Sequence, residues 1–407
     1  MKMLITLAWR NLWRKKRRTF ITVSSVLFAT ILAILMMSLV SGAKNQMVDS
    51  LLRNSTGFLQ IQDVLFNDEP SMDHALEYGD EVKEALAAYA DDIYFTAPRI
   101  QGFSLASRET GSRGAIVTGI IPEKEDKMNN LSANITEGAM FGAEDDFAVV
   151  AEGLARQLGL GVGDTIVLIG QGFQGMTAAG QYRVGGIIRF LMPEQNNAMV
   201  YLPLKEAQWF FAAPDRLTNL VIMVEDEGAV HTLAENLRAE LDPEWFALLT
   251  WEELMPDFLV AFEVRDAQMK IFAWVLYIVV GFGIFGTIVT MVYERLREFG
   301  ILMSIGLKRI QLAGICLMET LMISFMGVIA GMIFGFPIIY SLYKRPIRLS
   351  GELADVMIDM GVEPAFAFAL DPGIFLYQGM TVFFIALIVG IYPVQKVFRL
   401  NMVNASR

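Results

Sequence analysis

The sequence predicts a membrane α-helical protein with four transmembrane helices and a large α+β extracytoplasmic domain between helices 1 and 2. Three observations predict it. Hydrophobic residues make up 54% of the chain and charged residues 19%, where soluble proteins carry about a quarter charged. The apolar residues gather in four runs, at 20–40, 271–293, 313–340 and 374–394, each near the ~20 residues that cross a hydrocarbon core of about 30 Å. Basic residues flank those runs while the acids lie elsewhere: segments 1–18, 294–311 and 396–407 hold 14 of the 33 Lys and Arg residues but only Glu294 and Glu298 among the acids.

Residues 1–19 are the first element. Leu4, Leu7, Ala8 and Leu12 recur at helical spacing with Trp9 and Trp13 beside them, the pattern of an amphipathic helix lying in a membrane interface. Its first few residues read equally as a continuation of the first span. Helix 1 is expected at 20–42. It follows a basic leader and ends at Ser41-Gly42-Ala43, yet its apolar stretch of ~21 residues exceeds the h-region of a signal peptide. A retained anchor is expected.

Residues 43–270 are too long for a loop and need a core of their own. β-Branched runs at 115–120, 165–169 and 220–224 predict strands, with helices at 80–89, 152–158 and 228–241. Gly161-Val162-Gly163-Asp164 is a turn feeding a strand. The glycine-rich stretch 170–186 lacks the Gly-Lys-Ser/Thr ending and the following helix of a phosphate loop, so a flexible hairpin is expected. No segment carries the Walker A pattern, and ATP hydrolysis would have to come from another polypeptide. Cys316 is the one cysteine, and His74 and His231 stand far apart. A disulfide framework, a metal site and a His-based triad are therefore not expected. The external acids show no pair whose spacing assigns a catalytic role. A non-enzymatic chain is predicted.

Helix 2 is expected at 271–293, a cytoplasmic segment at 294–311, helix 3 at 312–340, an external loop at 341–372, helix 4 at 373–395 and a tail at 396–407. Counted over short loops, the positive-inside rule puts both termini and 294–311 in the cytoplasm. Lys344, Arg345 and Arg348 then fall outside, against the rule, and are outvoted.

Residues 293–309 combine a charged first half, an apolar stripe (Ile301, Leu302, Ile305) and glycine breaks at Gly300 and Gly306. Physics alone leaves two readings open: a short helix docking its stripe into a partner, or a solvated loop whose charges set topology. In the third span Gly327, Gly331 and Gly335 share one helix face, the spacing that lets membrane helices approach closely. Glu319 is the one acid inside a span. Snorkelling, or pairing with Lys308 or Arg309, is expected rather than a proton relay.

The run Glu294-Arg295-Leu296-Arg297-Glu298-Phe299-Gly300-Ile301-Leu302, with Ile305-Gly306-Leu307-Lys308-Arg309 and then Met318-Glu319, resembles the signature of the FtsX/MacB-like ABC transporter permease family. Ala8-Trp9-Arg10-Asn11-Leu12 and the basic run after it are also typical of that family. The motif covers about 30 residues, and the architecture covers the whole chain. The resemblance implies that the segment is a coupling helix contacting an ATP-binding-cassette ATPase through Glu294, Arg295, Arg297, Glu298, Gly300, Ile301, Ile305 and Gly306.

Within the family the layout is closest to the lipoprotein-releasing permeases LolC and LolE. The chain begins directly at the elbow, where MacB exporters carry a fused nucleotide-binding domain. It also has a long 3–4 loop, and Glu152-Gly153-Leu154-Ala155 through Asp164 looks like the external domain of these permeases. The tail departs from them: Tyr392-Pro393 is present, but Asn401-Met402 replaces their Asp-Pro pair. The implied function is a permease subunit coupling ATP hydrolysis by a separate subunit to extraction of lipoproteins from the inner membrane. The alternatives are a peptide or drug exporter permease, or an FtsX-like regulator of a cell-wall hydrolase. The implied partners are the ATPase, a second permease copy or paralogue, a lipoprotein or other lipid-embedded cargo, and membrane lipids, with no nucleic acid. ATP and Mg would sit in the partner and no cofactor in this chain. The implied location is the inner membrane, with residues 43–270 periplasmic.

Overall fold

The structure is a computed structural model that describes residues 2–14, 16–52, 56–108, 111–190, 192–304, 306–352, 354, 357 and 364–398. The chain divides into two compact units. One comprises Met1–Gln46, Phe262–Arg348 and Ala365–Arg407, and the other comprises Met47–Ala261 and Leu349–Pro364.

The first unit is almost wholly helical. Four helices are long and apolar enough to cross a membrane: Thr19–Ser50, Pro256–Tyr293, Arg309–Lys344 and Pro372–Phe398. Two of them run well past the apolar stretch that predicts them, since no proline interrupts 41–51 or 257–270 and both flanks hold good helix formers, Ala43, Lys44, Gln46 and Met47 in one and Glu263, Arg265, Ala267, Gln268 and Lys270 in the other. The helix holding the first span is continuous over Lys16–Leu51, and the second over Pro256–Tyr293. The last span breaks into Pro372–Val389 and Ile391–Phe398. Pro393 has no amide hydrogen and cannot bond back to residue 389, so the break falls at Gly390. At its other end Asp371 caps the helix by accepting from the Gly373 amide at 2.7 Å.

Packing among these helices is close where the side chains are small. A Cβ on Gly327 would lie 2.5 Å from the Val26 Cβ, and one on Gly331 would lie 2.6 Å from the Thr30 Cβ. At Gly335 the nearest atom is the Ile31 Cγ1 at 3.7 Å. The first and third spans therefore approach one another most closely along Gly327 and Gly331. The segment entering the last span is stitched to the first: Ser38 Oγ donates to the Ala369 carbonyl at 2.7 Å, and the Ala369 amide donates to the Ser38 carbonyl at 2.9 Å. In the 3–4 loop, Ile347–Arg348 and Ala365–Phe366 pair as a short antiparallel ladder.

The second unit is built on a mixed sheet. Its strands are β1 (Leu59–Asp63), β2 (Leu76–Glu77), β3 (Ile93–Arg108), β4 (Gly111–Ile120), β5 (Ile135–Gly138), β6 (Ala148–Ala151), β7 (Thr165–Gln171), β8 (Thr177–Ile188), β9 (Met199–Pro203), β10 (Arg216–Leu217), β11 (Asn219–Val224) and β12 (Phe246–Thr250). The main sheet runs β12-β1-β11-β3-β4-β9-β6-β8-β5, with β7 pairing β3 and β8, while β10 and β2 pair separately. The β4–β9 and β6–β8 pairs are parallel. Strand β3 pairs β11 through Ile93 to Arg99 and β4 through Ile100 to Arg108.

Two cores flank that division. Val82, Ala85 and Leu86 of helix Asp80–Ala88 and Val230, Leu233, Ala234 and Leu237 of helix Val230–Glu240 bury against β1 and β11. Leu154 and Leu158 of helix Glu152–Leu158 and Ala207 and Phe210 of helix Leu204–Phe210 bury against β4, β6 and β9. The i, i+3, i+4 spacing of each set is what turns one face inward.

The glycine-rich stretch is the β7–β8 hairpin, paired from Thr165↔Arg183 to Gln171↔Thr177. The turn at Gly161–Asp164 is closed by Asp164, whose carboxylate accepts from the Gly161 amide at 2.8 Å. That bond, with the Arg108 guanidinium beside it, holds the carboxyl below its usual range. At the junction of the two cores Arg99 and Glu125 form a buried bidentate pair at 2.7 and 2.8 Å. Burial alone would lower the Arg99 pKa, but the Glu125 carboxylate more than offsets it, and the guanidinium lies above its ordinary value.

Candidate functional site

The segment 294–311 is not one helix. A short helix covers Leu296–Ser304, the chain turns at Gly306 with φ +102°, and the third-span helix starts at Arg309. A positive φ of that size suits glycine and strains any side chain.

The helix has a buried and an exposed face. Arg295, Phe299 and Met303, at i, i+4 and i+8, point inward together with Gly300, while Glu294, Ile301 and Ser304 are exposed. Phe299 and Met303 pack in one cluster with Leu312, Ala313 and Cys316 of the third-span helix and Val397 of the last helix. Of the predicted stripe, Ile301 is 55% exposed and Leu302 is half-buried, whereas Ile305 lies outside the described residues. The side chain of Arg297 lies outside them too. Glu298 is partly exposed, and Arg14 donates to it at 3.0 Å.

Glu319 is buried, and its partner corrects the sequence expectation of Lys308 or Arg309. Arg295 Nη1 donates to Glu319 Oε2, with the two side chains 2% and 1% exposed. Asn11 Nδ2 donates to the other carboxylate oxygen at 2.9 Å. The reason is geometric. Glu319 stands ten residues into a helix that starts at Arg309, about 15 Å along its axis at 1.5 Å per residue. Lys308 and Arg309 cannot reach that far, and Arg309 instead donates to the Phe398 carbonyl at 3.0 Å. The Leu296–Ser304 helix folds back along the third-span helix and brings Arg295 level with Glu319.

The first helix, Lys2–Arg14, completes the site. Ala8 and Leu12 are buried, Leu12 against Met291 and Ile323. Trp9 and Trp13 are exposed and meet edge to face at 5.8 Å. Three elements far apart in sequence therefore converge on one buried carboxylate: the first helix through Asn11, the 294–304 segment through Arg295, and the third span through Glu319 itself. Sequence reasoning singled out Arg295 and Glu319 but not Asn11. An asparagine on the inward side of an amphipathic helix, between Ala8 and Leu12, was the signal available.

Among the described residues no group of three or more His, Cys, Asp or Glu side chains is placed to hold a metal ion. In the second unit an open groove of 280 Å³ is lined by Tyr78, Lys83, Leu86, Phe95 and Thr96, with only Lys83 charged.

Comparison with known proteins accounts for both units. Residues 19–240 match the MacB-like periplasmic core domain, and residues 270–402 match the FtsX-like permease C-terminal domain. The lipoprotein-releasing system transmembrane protein LolC of Neisseria meningitidis is 22% identical over 346 residues, covering 81% of this chain and 80% of LolC. An ABC transporter permease of Methanocaldococcus jannaschii is 20% identical, covering 99% of this chain and 97% of that one. The macrolide export ATP-binding/permease protein MacB of Bartonella quintana is 20% identical; the match covers 85% of this chain but 53% of MacB. The periplasmic region of MacB from Actinobacillus actinomycetemcomitans superposes with a TM-score of 0.36 at 15% identity, covering 50% of this chain and 92% of that one. The two family matches together run from the first span to the end of the last. The chain is a multi-pass membrane protein with a periplasmic domain, and it belongs to the FtsX/MacB-like family of ABC transporter permeases.

Proposed function

We propose that this chain is the permease subunit of a transporter in which a separate ATP-binding-cassette ATPase drives extraction of lipid-anchored proteins from the inner membrane. The observation that carries the reading is the seat of the Leu296–Ser304 helix. Its inner face is packed on the third and last spans, and its outer face, with Glu294, Ile301 and Ser304, is left exposed. In this reading that outer face is the coupling surface. The ATPase holds ATP and Mg, both termini and the coupling helix are cytoplasmic, and residues 43–270 lie in the periplasm. A second permease copy or paralogue completes the assembly.

Lipoprotein cargo is favoured by the match to LolC over four-fifths of both chains. It also suits the spans, which among the described residues bury no charged side chain beyond the Arg295–Glu319 pair. A cargo that leaves the bilayer sideways needs an opening between helices rather than an aqueous pore. A peptide or drug exporter is the second reading, favoured by the match to MacB.

The test is mass spectrometry of what co-purifies with the tagged chain in mild detergent. An ATPase subunit together with lipoproteins supports the proposal. An ATPase with an adaptor or a cell-wall hydrolase transfers support to the exporter or to the FtsX-like regulator, and no ATPase at all sinks every transport reading.

A further inference from the structure

We infer that Arg295 is a positioning residue inside the chain and not a contact for the ATPase: it seats the coupling helix on the third span through Glu319, and it exchanges that carboxylate for Glu298 when the helix is displaced. The inference rests on the coupling role proposed above and assigns this residue its part in it.

A guanidinium carries five N–H donors in a fixed fork. In Arg295, Nη1 bonds Glu319, but Nε and Nη2 are buried and find no hydrogen-bond acceptor among the described residues. Buried donors without acceptors are costly and rare, and each needs an explanation. A second carboxylate stands beside them. Glu298 Oε2 lies 3.9 Å from Nε, too far for a hydrogen bond but about 1 Å short of one.

The two carboxylates are held differently. Glu319 belongs to the third span and is fixed from a second side by Asn11 at 2.9 Å. Glu298 rides on the coupling helix itself, as Arg295 does, and Arg14, which donates to it, is 60% exposed; a pair that open to solvent is a weak restraint. A displacement of the coupling helix therefore draws Arg295 away from Glu319 while Glu298, three residues on along the same segment, travels with it and stays near Nε. An exchange between them lets the helix shift without ever leaving the guanidinium unpaired in the interior, the state that would cost most. The arrangement has two discrete partners, so it converts a small push into one of two seats rather than a continuous drift.

The chain supplies its own reporter. Cys316 lies three residues before Glu319 on the same helix and is buried in one cluster with Phe299 and Met303 of the coupling helix. When the coupling helix is seated the thiol is covered; when it lifts, the thiol is uncovered.

The experiment measures the rate of Cys316 alkylation by N-ethylmaleimide in the full chain with its co-purifying ATPase in nanodiscs, without nucleotide and after trapping with ATP and vanadate. Without nucleotide, Glu319→Gln raises the rate at least tenfold over wild type. Glu298→Gln leaves that rate unchanged but suppresses the rise that trapping produces. The apolar pair Arg295→Met with Glu319→Leu keeps the helix packed and folded, and Cys316 stays protected in both conditions. Equal rates for wild type and Glu319→Gln without nucleotide overturn the seating. A Glu298→Gln chain, or the apolar pair, that opens on trapping as wild type does overturns the exchange. No vanadate-dependent change in wild type, with no ATPase co-purifying, strikes the proposed transport function instead. The nucleotide-free comparison still decides the seating in that case.

Discussion

Replacing the three interface glycines of the third span one at a time by alanine separates close helix approach from helix propensity. Propensity favours alanine by about 1 kcal/mol at every site, so it cancels when the variants are compared. What differs is the space. Carbon atoms rest about 3.5–4.0 Å apart. A Cβ at Gly327 or Gly331 would stand 2.5 or 2.6 Å from a facing Cβ, with a backbone oxygen at 3.0 Å behind it. Those atoms are fixed to the backbone of the first span, so relief requires the helices to part by about 1 Å, and overpacking of that kind costs about 1–3 kcal/mol. At Gly335 the nearest atom is at 3.7 Å, an ordinary contact. Gly335→Ala should therefore unfold at or above the wild-type midpoint, with Gly327→Ala and Gly331→Ala about 1–3 kcal/mol below Gly335→Ala. Titration of the chain from mild detergent into SDS, followed by tryptophan fluorescence, reads the three midpoints. Three variants within about 0.5 kcal/mol of each other would refute the reasoning, since that is the scatter of sites without a packing constraint.

Three further outcomes follow from other parts of the structure. Arg99→Met leaves the Glu125 carboxylate buried and alone, and should cost about 3–5 kcal/mol, whereas Arg99→Met with Glu125→Leu should recover most of it; denaturant midpoints compare them. Glu152 is bonded by Arg189 through two 2.7 Å hydrogen bonds, and that bonding lowers its pKa from 4.5. Its contribution is thus present above the unfolded pKa and is lost as pH falls through the lower folded value. At neutral pH Glu152→Gln should cost about 0.5–1 kcal/mol, a small figure because Arg189 is largely exposed, and the difference from wild type should close in acid. On the coupling helix, Ile301→Asp should abolish ATPase co-purification while leaving the unfolding midpoint unchanged. Phe299→Ala should lower that midpoint by about 3–5 kcal/mol. The reverse pattern would mean that the helix presents its other face.

The four spans were legible because a 20-residue apolar run has few other uses. Helix Glu152–Leu158 and the strands at 115–120, 165–169 and 220–224 were legible because their periodicity is local. The hairpin in 170–186 was legible from its glycines once the phosphate-loop alternative failed on its missing lysine. What the sequence hid was long-range. Nothing local distinguishes a parallel β4–β9 pair from an antiparallel one, since both alternate with period two. Glu319 is near Lys308 and Arg309 in sequence but not in space. A rigid helix moves ten residues about 15 Å away, while a chain reversal at Gly306 brings back a residue 24 positions earlier. The inward face of the coupling helix is hidden for a similar reason: nothing local marks Arg295, Phe299 and Met303 as the positions that face the third span.

Strand β3 has a mechanical consequence. Its sixteen residues span about 50 Å at 3.3 Å each, and one half belongs to each of the two cores of the periplasmic domain. Tension applied at either end of the strand runs along covalent bonds from one core into the other, loading the rungs to β11 and β4 in shear, all at once, rather than peeling them singly. Two cores that could each have melted alone share one tie rod. The domain should yield to force in a single rip, with the amides on either side of Arg99 losing their protection together.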